Sequence, residues 1–232
     1  MNLLHDPRVR ALVRQSGMKQ FAYKVQSSMS RPHSYEEKFS DTLLSAIHAG
    51  DCVWDVGANV GFYTKRFADI VGQSGKVIAL EPFEGAFCRL RSTVHSLSQV
   101  ECLKMALGAE DGELRVLPNV AASTRSSLMC VSESSDAELV SIKTGDKLIR
   151  EGFQPPSILK IDVEGFEEDV LWGFRHQLRS GVCRGVFIEV HYTLLDKRGF
   201  LRAPSRLISM LKDMGFATSW LDPSHLAGVR AA

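Results

Sequence analysis

The chain has 232 residues, 44% of them hydrophobic, and its 28 basic and 27 acidic side chains leave a net charge of +1 at pH 7. That is material for one sizeable core, and it gives no global electrostatic case for binding nucleic acid or an anionic membrane. Five scattered cysteines, no signal-peptide-like start and no run of ~20 apolar residues point to a reduced, cytoplasmic protein with no membrane span.

The first elements read as helices. Asp6 can cap one, Pro7 suits its first turn and Gly17 can end it. The basic excess is local: Arg8, Arg10, Arg14, Lys19, Lys24 and Arg31 are opposed only by Asp6. Residues 1–33 are therefore expected to be an N-terminal helical extension, its charges a solvated face or a lid, ahead of a domain over 34–232. In the next helix Ser34 and Glu37 have capping-box spacing, Phe39, Leu43 and Ile47 recur every fourth residue, and Gly50 follows.

From there strands alternate with helices. "CVWDV", "KVIALEP", "VECLKMALG", "SILKIDV" and "RGVFIEVH" read as strands, and "ATSWLD" as a last one. "GFYTKRFADIVG", "FEGAFCRLRSTVHSL", "EEDVLWGFRHQLRSG" and "APSRLISMLKDMGF" read as helices. Continuously apolar strands in this alternation predict an α/β fold, a mostly parallel sheet buried on both faces. Residues 108–145 break the rhythm and are expected to form an inserted hairpin or lid. Trp54 and Trp172 are expected in the core. Phe62 or Tyr63 could wall a pocket, and "STRSSL" with Arg125 could line one.

The stretch "VWDVGANVGFY" carries the chemistry. In an open parallel sheet, ligands sit beyond the carboxyl ends of the strands where strand order reverses. A dinucleotide favours G-x-G-x-x-G there, but Asn59 takes the middle position between Gly57 and Gly61, and Asp55 would repel a pyrophosphate. S-adenosylmethionine has no phosphate and carries an ammonium and a sulfonium, so Asp55 becomes useful. Glu81, ending the second strand, can take both ribose hydroxyls.

Together "DVGANVGFYT", "VIALEP", "ALG" and "ILKIDVEGFEEDVLWG" resemble the FkbM-type S-adenosylmethionine-dependent methyltransferases, over about Glu36 to Gly215. The resemblance implies the class I methyltransferase fold, a Rossmann-like doubly wound sheet of seven strands, with a final antiparallel strand that here is short or absent. It implies O-methylation of a hydroxyl on a small molecule or sugar. Its cofactor positions fall on Asp55, Gly57, Ala58, Asn59, Gly61, Glu81 and Pro82, with the backbone at Ala106 and Leu107 framing the adenine.

Catalytic candidates lie at the ends of the fourth and fifth main strands. Lys160, Asp162 and Glu164 share a parity, as do Glu189 and His191. Such charges are costly in a buried sheet unless paired or functional, and Lys160 could simply pair with Asp162 or Glu189. His191 is the best general base by its ordinary pKa. Asp162, Glu189 and His191 could also hold a metal, although no local ligand motif supports it and no metal is assigned. Asp55→Ala should abolish donor binding with the fold intact, and His191→Ala should slow transfer alone. A nicotinamide-dependent oxidoreductase and a cofactor-binding protein without turnover are the competing readings. Oligomeric state is open, a homodimer being one option.

Overall fold

The computed structural model describes residues 33–116 and 137–230, with side chains from 37 onward. Expectations that rest on the basic N-terminal segment, the Ser34 cap, "STRSSL" and Arg125 lie outside the described residues.

Helix α1 (His33–Ser45) leads into strand β1 (Cys52–Val56), which is buried along its whole length. Then follow α2 (Phe62–Val71), β2 (Lys76–Leu80), α3 (Glu84–Val94), β3 (Val100–Leu103), β4 (Ala106–Leu107), β5 (Gly112–Val116), β6 (Glu138–Lys143) and α4 (Gly145–Arg150). The second half runs β7 (Ile158–Ile161), α5 (Glu167–Gly173), α6 (Arg175–Arg179), β8 (Gly185–Glu189), α7 (Tyr192–Lys197), α8 (Ala203–Asp213), β9 (Ala217–Trp220) and β10 (His225–Val229). The main sheet has seven strands in the order β3-β2-β1-β7-β8-β10-β9. The pairs from β3 across to β8 are parallel, and β10 runs antiparallel to both of its neighbours.

The period-two alternation of β1 and β2 divides two cores. Trp54, Val56, Ile78 and Leu80 pack on one face with Val170, Leu171 and Phe174 of the α5–α6 region and Leu207 and Leu211 of α8. Val53 and Val77 pack on the other with Phe39 and Leu43 of α1 and Phe67 and Val71 of α2. Trp54 is fully buried, edge-on to Phe153 and Phe174, and its indole N–H donates to the Gln154 carbonyl at 2.9 Å. A buried indole needs that partner.

Strand order reverses between β1 and β7, which are hydrogen-bonded neighbours with Asp55 opposite Lys160. The turns leaving β1, β2 and β7 therefore open onto one crevice.

Several expectations change in detail. "VECLKMALG" is two strands, because β4 leaves the main sheet to pair with β6 in a three-stranded sheet of order β4-β6-β5. Among the described residues, the insert contains the antiparallel pair β5–β6, paired from Gly112 with Ile142 to Val116 with Glu138. The long helix after "KIDVEG" breaks at Phe174, whose ring is drawn into the core. The final antiparallel strand is present: "HLAGV" is β10, wedged between β8 and β9. Trp172 is not core. It is half exposed, with the Arg175 guanidinium 5.0 Å above its ring. Phe62 is also exposed, whereas Tyr63 stacks on Phe67 and meets Phe39 edge-on.

Candidate active site

The turn after β1 is shaped by backbone conformation. Gly57 (φ +80°), Asn59 (φ +51°) and Gly61 (φ +88°) all adopt left-handed torsions, which two glycines and an asparagine accept at least cost. At Gly57 the requirement is also steric, because a Cβ there would lie 1.9 Å from the Asp162 carbonyl oxygen. Gly57→Ala is expected to destabilise the protein by about 2–5 kcal/mol, the sum of a left-handed penalty and overpacking. A urea midpoint unchanged from wild type would contradict this packing.

Glu81 follows β2 and is 5% exposed. Its Oε2 accepts the Asn59 N–H at 2.9 Å and its Oε1 accepts the Phe83 N–H at 3.1 Å. The carboxylate is thereby locked between two turns, and each oxygen keeps a second lone pair for another donor. Burial pushes its pKa up to about 7, against the pull of those two N–H groups.

Beside Glu81 lies a cleft open to solvent. Its apolar walls include Val56, Leu80, Phe83, Met105, Ala106 and Leu107. Gly57, Glu81 and Pro82 form its rim, and Asp162, Val163 and Glu164 the opposite side. Of the expected cofactor residues, Gly57, Glu81, Pro82, Ala106 and Leu107 line this cleft. Ala58, Asn59 and Gly61 shape the turn behind it, with Ala58 packed on Ala79 and Leu90.

Asp55 does something different from simple exposure at the mouth. It is completely buried. The Thr64 hydroxyl donates to its Oδ2 at 2.7 Å, and the Lys160 ammonium lies 3.1 Å from its Oδ1. Lys160 in turn donates to the Gly57 carbonyl at 3.3 Å and reaches Asp162 Oδ2 at 3.4 Å. The sequence suggested Asp162 or Glu189 as the lysine's partner; the closest carboxylate is Asp55. Burial works against the lysine's charge, but Asp55 and Asp162 outweigh it and raise its pKa above the ordinary lysine range.

Strand β7 ends at Ile161, so Asp162 and Glu164 stand on the turn beyond it, Glu164 with φ +52°. Glu189 ends β8, and His191 sits two residues on, where α7 begins. His191 Nδ1 is 2.8 Å from Oε1 of Glu167, and its Nε2 faces Asp162 Oδ1 at 3.6 Å and Glu189 Oε1 at 3.9 Å. Burial disfavours its charge, yet the Glu167 hydrogen bond and the Asp162 and Glu189 carboxylates lift its pKa to about 9. The expectation that His191 is the general base rested on its ordinary pKa, which its carboxylate neighbours shift upward.

Sequence reading did not include three participants. Glu167, fully buried in the first turn of α5, looks like surface charge in "EEDV". His225 opens β10 and lies directly across from Glu189, with Nε2 3.7 Å from Glu189 Oε2 and Nδ1 2.7 Å from Asp222. Asp222 closes the turn before it. No local motif announces any of them.

The arrangement suits a phosphate-free, cationic nucleoside. Glu81 presents a fixed carboxylate, the walls are apolar, and Asp162 adds negative charge, all wrong for a pyrophosphate.

A family model, Methyltransferase FkbM domain, matches residues 55–218. The chain belongs to the FkbM methyltransferase family. Within that family's span fall the turn after β1, Glu81, the β7 end and the β8 end. A curated relative, hexuronic acid methyltransferase AglP of Haloferax volcanii, is 30% identical over 151 residues, 64% of this chain and 59% of the relative. The chain thus spans about three-fifths of that relative's length. Among solved structures, methyltransferase FkbM from Methylobacillus flagellatus superposes with a TM-score of 0.54 at 15% identity, covering 77% of this chain and 43% of that one. A Streptococcus mutans protein in complex with S-adenosylhomocysteine (SAH) gives 0.51 at 11% identity, covering 88% and 99%. At those identities the likeness shows the fold alone, that of the class I methyltransferases.

Proposed function

We propose that this chain is an S-adenosylmethionine-dependent O-methyltransferase acting on a hydroxyl of a sugar or sugar-like small molecule. The observation that carries the reading is the buried, backbone-locked Glu81 beside an apolar cleft whose far side is Asp162. Glu81 would hold the ribose hydroxyls, the backbone at Ala106 and Leu107 the adenine, and Asp162 the cationic end. Asp55 acts from beneath, fixing Lys160 and through it the Gly57 carbonyl and Asp162. Bound there, S-adenosylmethionine supplies a methyl carbon already activated by its sulfonium.

What remains for the protein is alignment of the acceptor and removal of its proton. Asp162 touches both the cleft and His191, so the acceptor oxygen belongs between them. The Asp162 carboxylate, which lines the cleft, is the proton's destination. Glu164 also lines the cleft and would shape the acceptor side.

The hexuronic acid named for the AglP relative favours a sugar acceptor. No helix of the described residues is long and apolar enough to cross a membrane. The test is transfer of labelled methyl to a panel of uronic acids and neutral sugars, free and lipid-linked. Labelled product from at least one sugar, lost in Asp162→Asn, is the expected result. SAH binding with no labelled sugar product would overturn the acceptor assignment.

A further inference from the structure

Three groups at the carboxyl ends of β7 and β8 are each held through one atom by a residue outside the trio and turn another atom toward one another. Lys160 holds Asp162 through Oδ2, His225 faces Glu189 through Oε2, and Glu167 holds His191 through Nδ1. The remaining atoms, Asp162 Oδ1, Glu189 Oε1 and His191 Nε2, converge. His191 Nε2 is 3.6 Å from the first and 3.9 Å from the second, and a ligand atom from each residue lies within 4.8 Å of the other two. We infer that Asp162, Glu189 and His191 are the protein ligands of a divalent metal ion.

Four features support a cation there. The donor set of two carboxylates and one imidazole suits Mn²⁺ and its borderline neighbours. A buried carboxylate holding the far nitrogen of a histidine is the usual support for a metal-binding imidazole, since it fixes the ring and raises its basicity. Carboxylates outnumber the basic groups: Asp55, Asp162, Glu167, Glu189 and Asp222 share the cluster with Lys160, His191 and His225, and Glu167 Oε2 is buried without a hydrogen-bond partner among the described residues. The three ligands are also 16–34% exposed, which leaves room for water or an acceptor oxygen on the open side.

The site also answers a chemical shortfall. A carboxylate alone is a weak base for an alcohol, and a divalent ion that ligates the hydroxyl makes it a stronger acid. That role rests on the proposed transfer reaction; the binding of the ion does not.

The test is titration of the purified full chain, stripped with chelator, with Mn²⁺, reading free Mn²⁺ by electron paramagnetic resonance. One saturable Mn²⁺ per chain is expected. Glu189→Gln and His191→Gln should each weaken binding at least tenfold. Glu167→Gln, which touches no ion, should weaken it about 10–100-fold. Glu84→Gln, a remote exposed carboxylate, should leave it unchanged. SAH affinity and melting temperature report whether each variant is folded, and Glu189→Gln is the variant least exposed to that risk because its side chain is one-third exposed. No Mn²⁺ uptake, or uptake indifferent to a folded Glu189→Gln, would overturn the site. Retained SAH binding in that event would leave the methyltransferase reading standing.

Discussion

Asp55→Ala is expected to destabilise the protein by about 3–5 kcal/mol, as well as to abolish donor binding. The reason is the lysine it leaves behind. Lys160 is 4% exposed, and its nearest counter-charge is Asp55 at 3.1 Å. Removing one member of a buried ion pair strands the other, at a cost of about that size. Asp162, at 3.4 Å, compensates only in part, because it also faces His191. The sequence alone suggested that this variant would keep its fold. The structure changes that expectation because it places the carboxylate beneath the turn, not at an open mouth. Adding Lys160→Met should recover much of the lost stability without recovering SAH binding, since an apolar side chain needs no counter-charge. Equal urea midpoints for wild type and Asp55→Ala would show that the pair is not the internal support described above.

The second large effect belongs to Glu81. Glu81→Gln should reduce SAH affinity about 100-fold, near 3 kcal/mol, because charge-assisted hydrogen bonds to the ribose would be replaced by weaker ones. The wild-type protein should also bind more tightly as pH rises. In the free protein burial holds the Glu81 pKa at about 7. Hydroxyl donors stabilise the ionised form, so binding lowers that pKa and expels a proton. Between pH 6 and pH 8 the affinity should therefore increase about tenfold. The sign for stability is opposite. A carboxyl whose folded pKa is raised contributes stability that is present below the unfolded value and is lost as pH rises through about 7. Glu81→Gln should flatten the pH dependence of binding. Calorimetry showing the same slope in both proteins would move the titrating group elsewhere.

Much of this was readable from residue order because local chemistry dictated it. Buried parallel strands must be apolar on both faces, so "CVWDV" and "KVIAL" stood out. The turn after β1 needed left-handed torsions, so Gly57 and Gly61 stood out too. Glu81 was found because it ends a strand in register with that turn. What failed was tertiary in origin. Trp172 looked like core because it is large and apolar, yet its helix turns that face outward beneath Arg175. β10 went unseen because a short run containing Ala and Gly becomes a strand only once β8 and β9 offer two edges. Glu167 and His225 are distant in sequence from His191 and Glu189, which they hold, and Asp222 acts only through His225. Their roles exist only after the ends of β7, β8 and β10 have been brought together.

The central claim is that the cleft between the β1 turn, Glu81 and Asp162 takes an S-adenosyl nucleoside. Isothermal calorimetry of the full chain with SAH tests it most directly. Saturable heat at one SAH per chain, with no response to a nicotinamide dinucleotide, is the predicted result. Uptake of the dinucleotide without any of SAH would contradict the account.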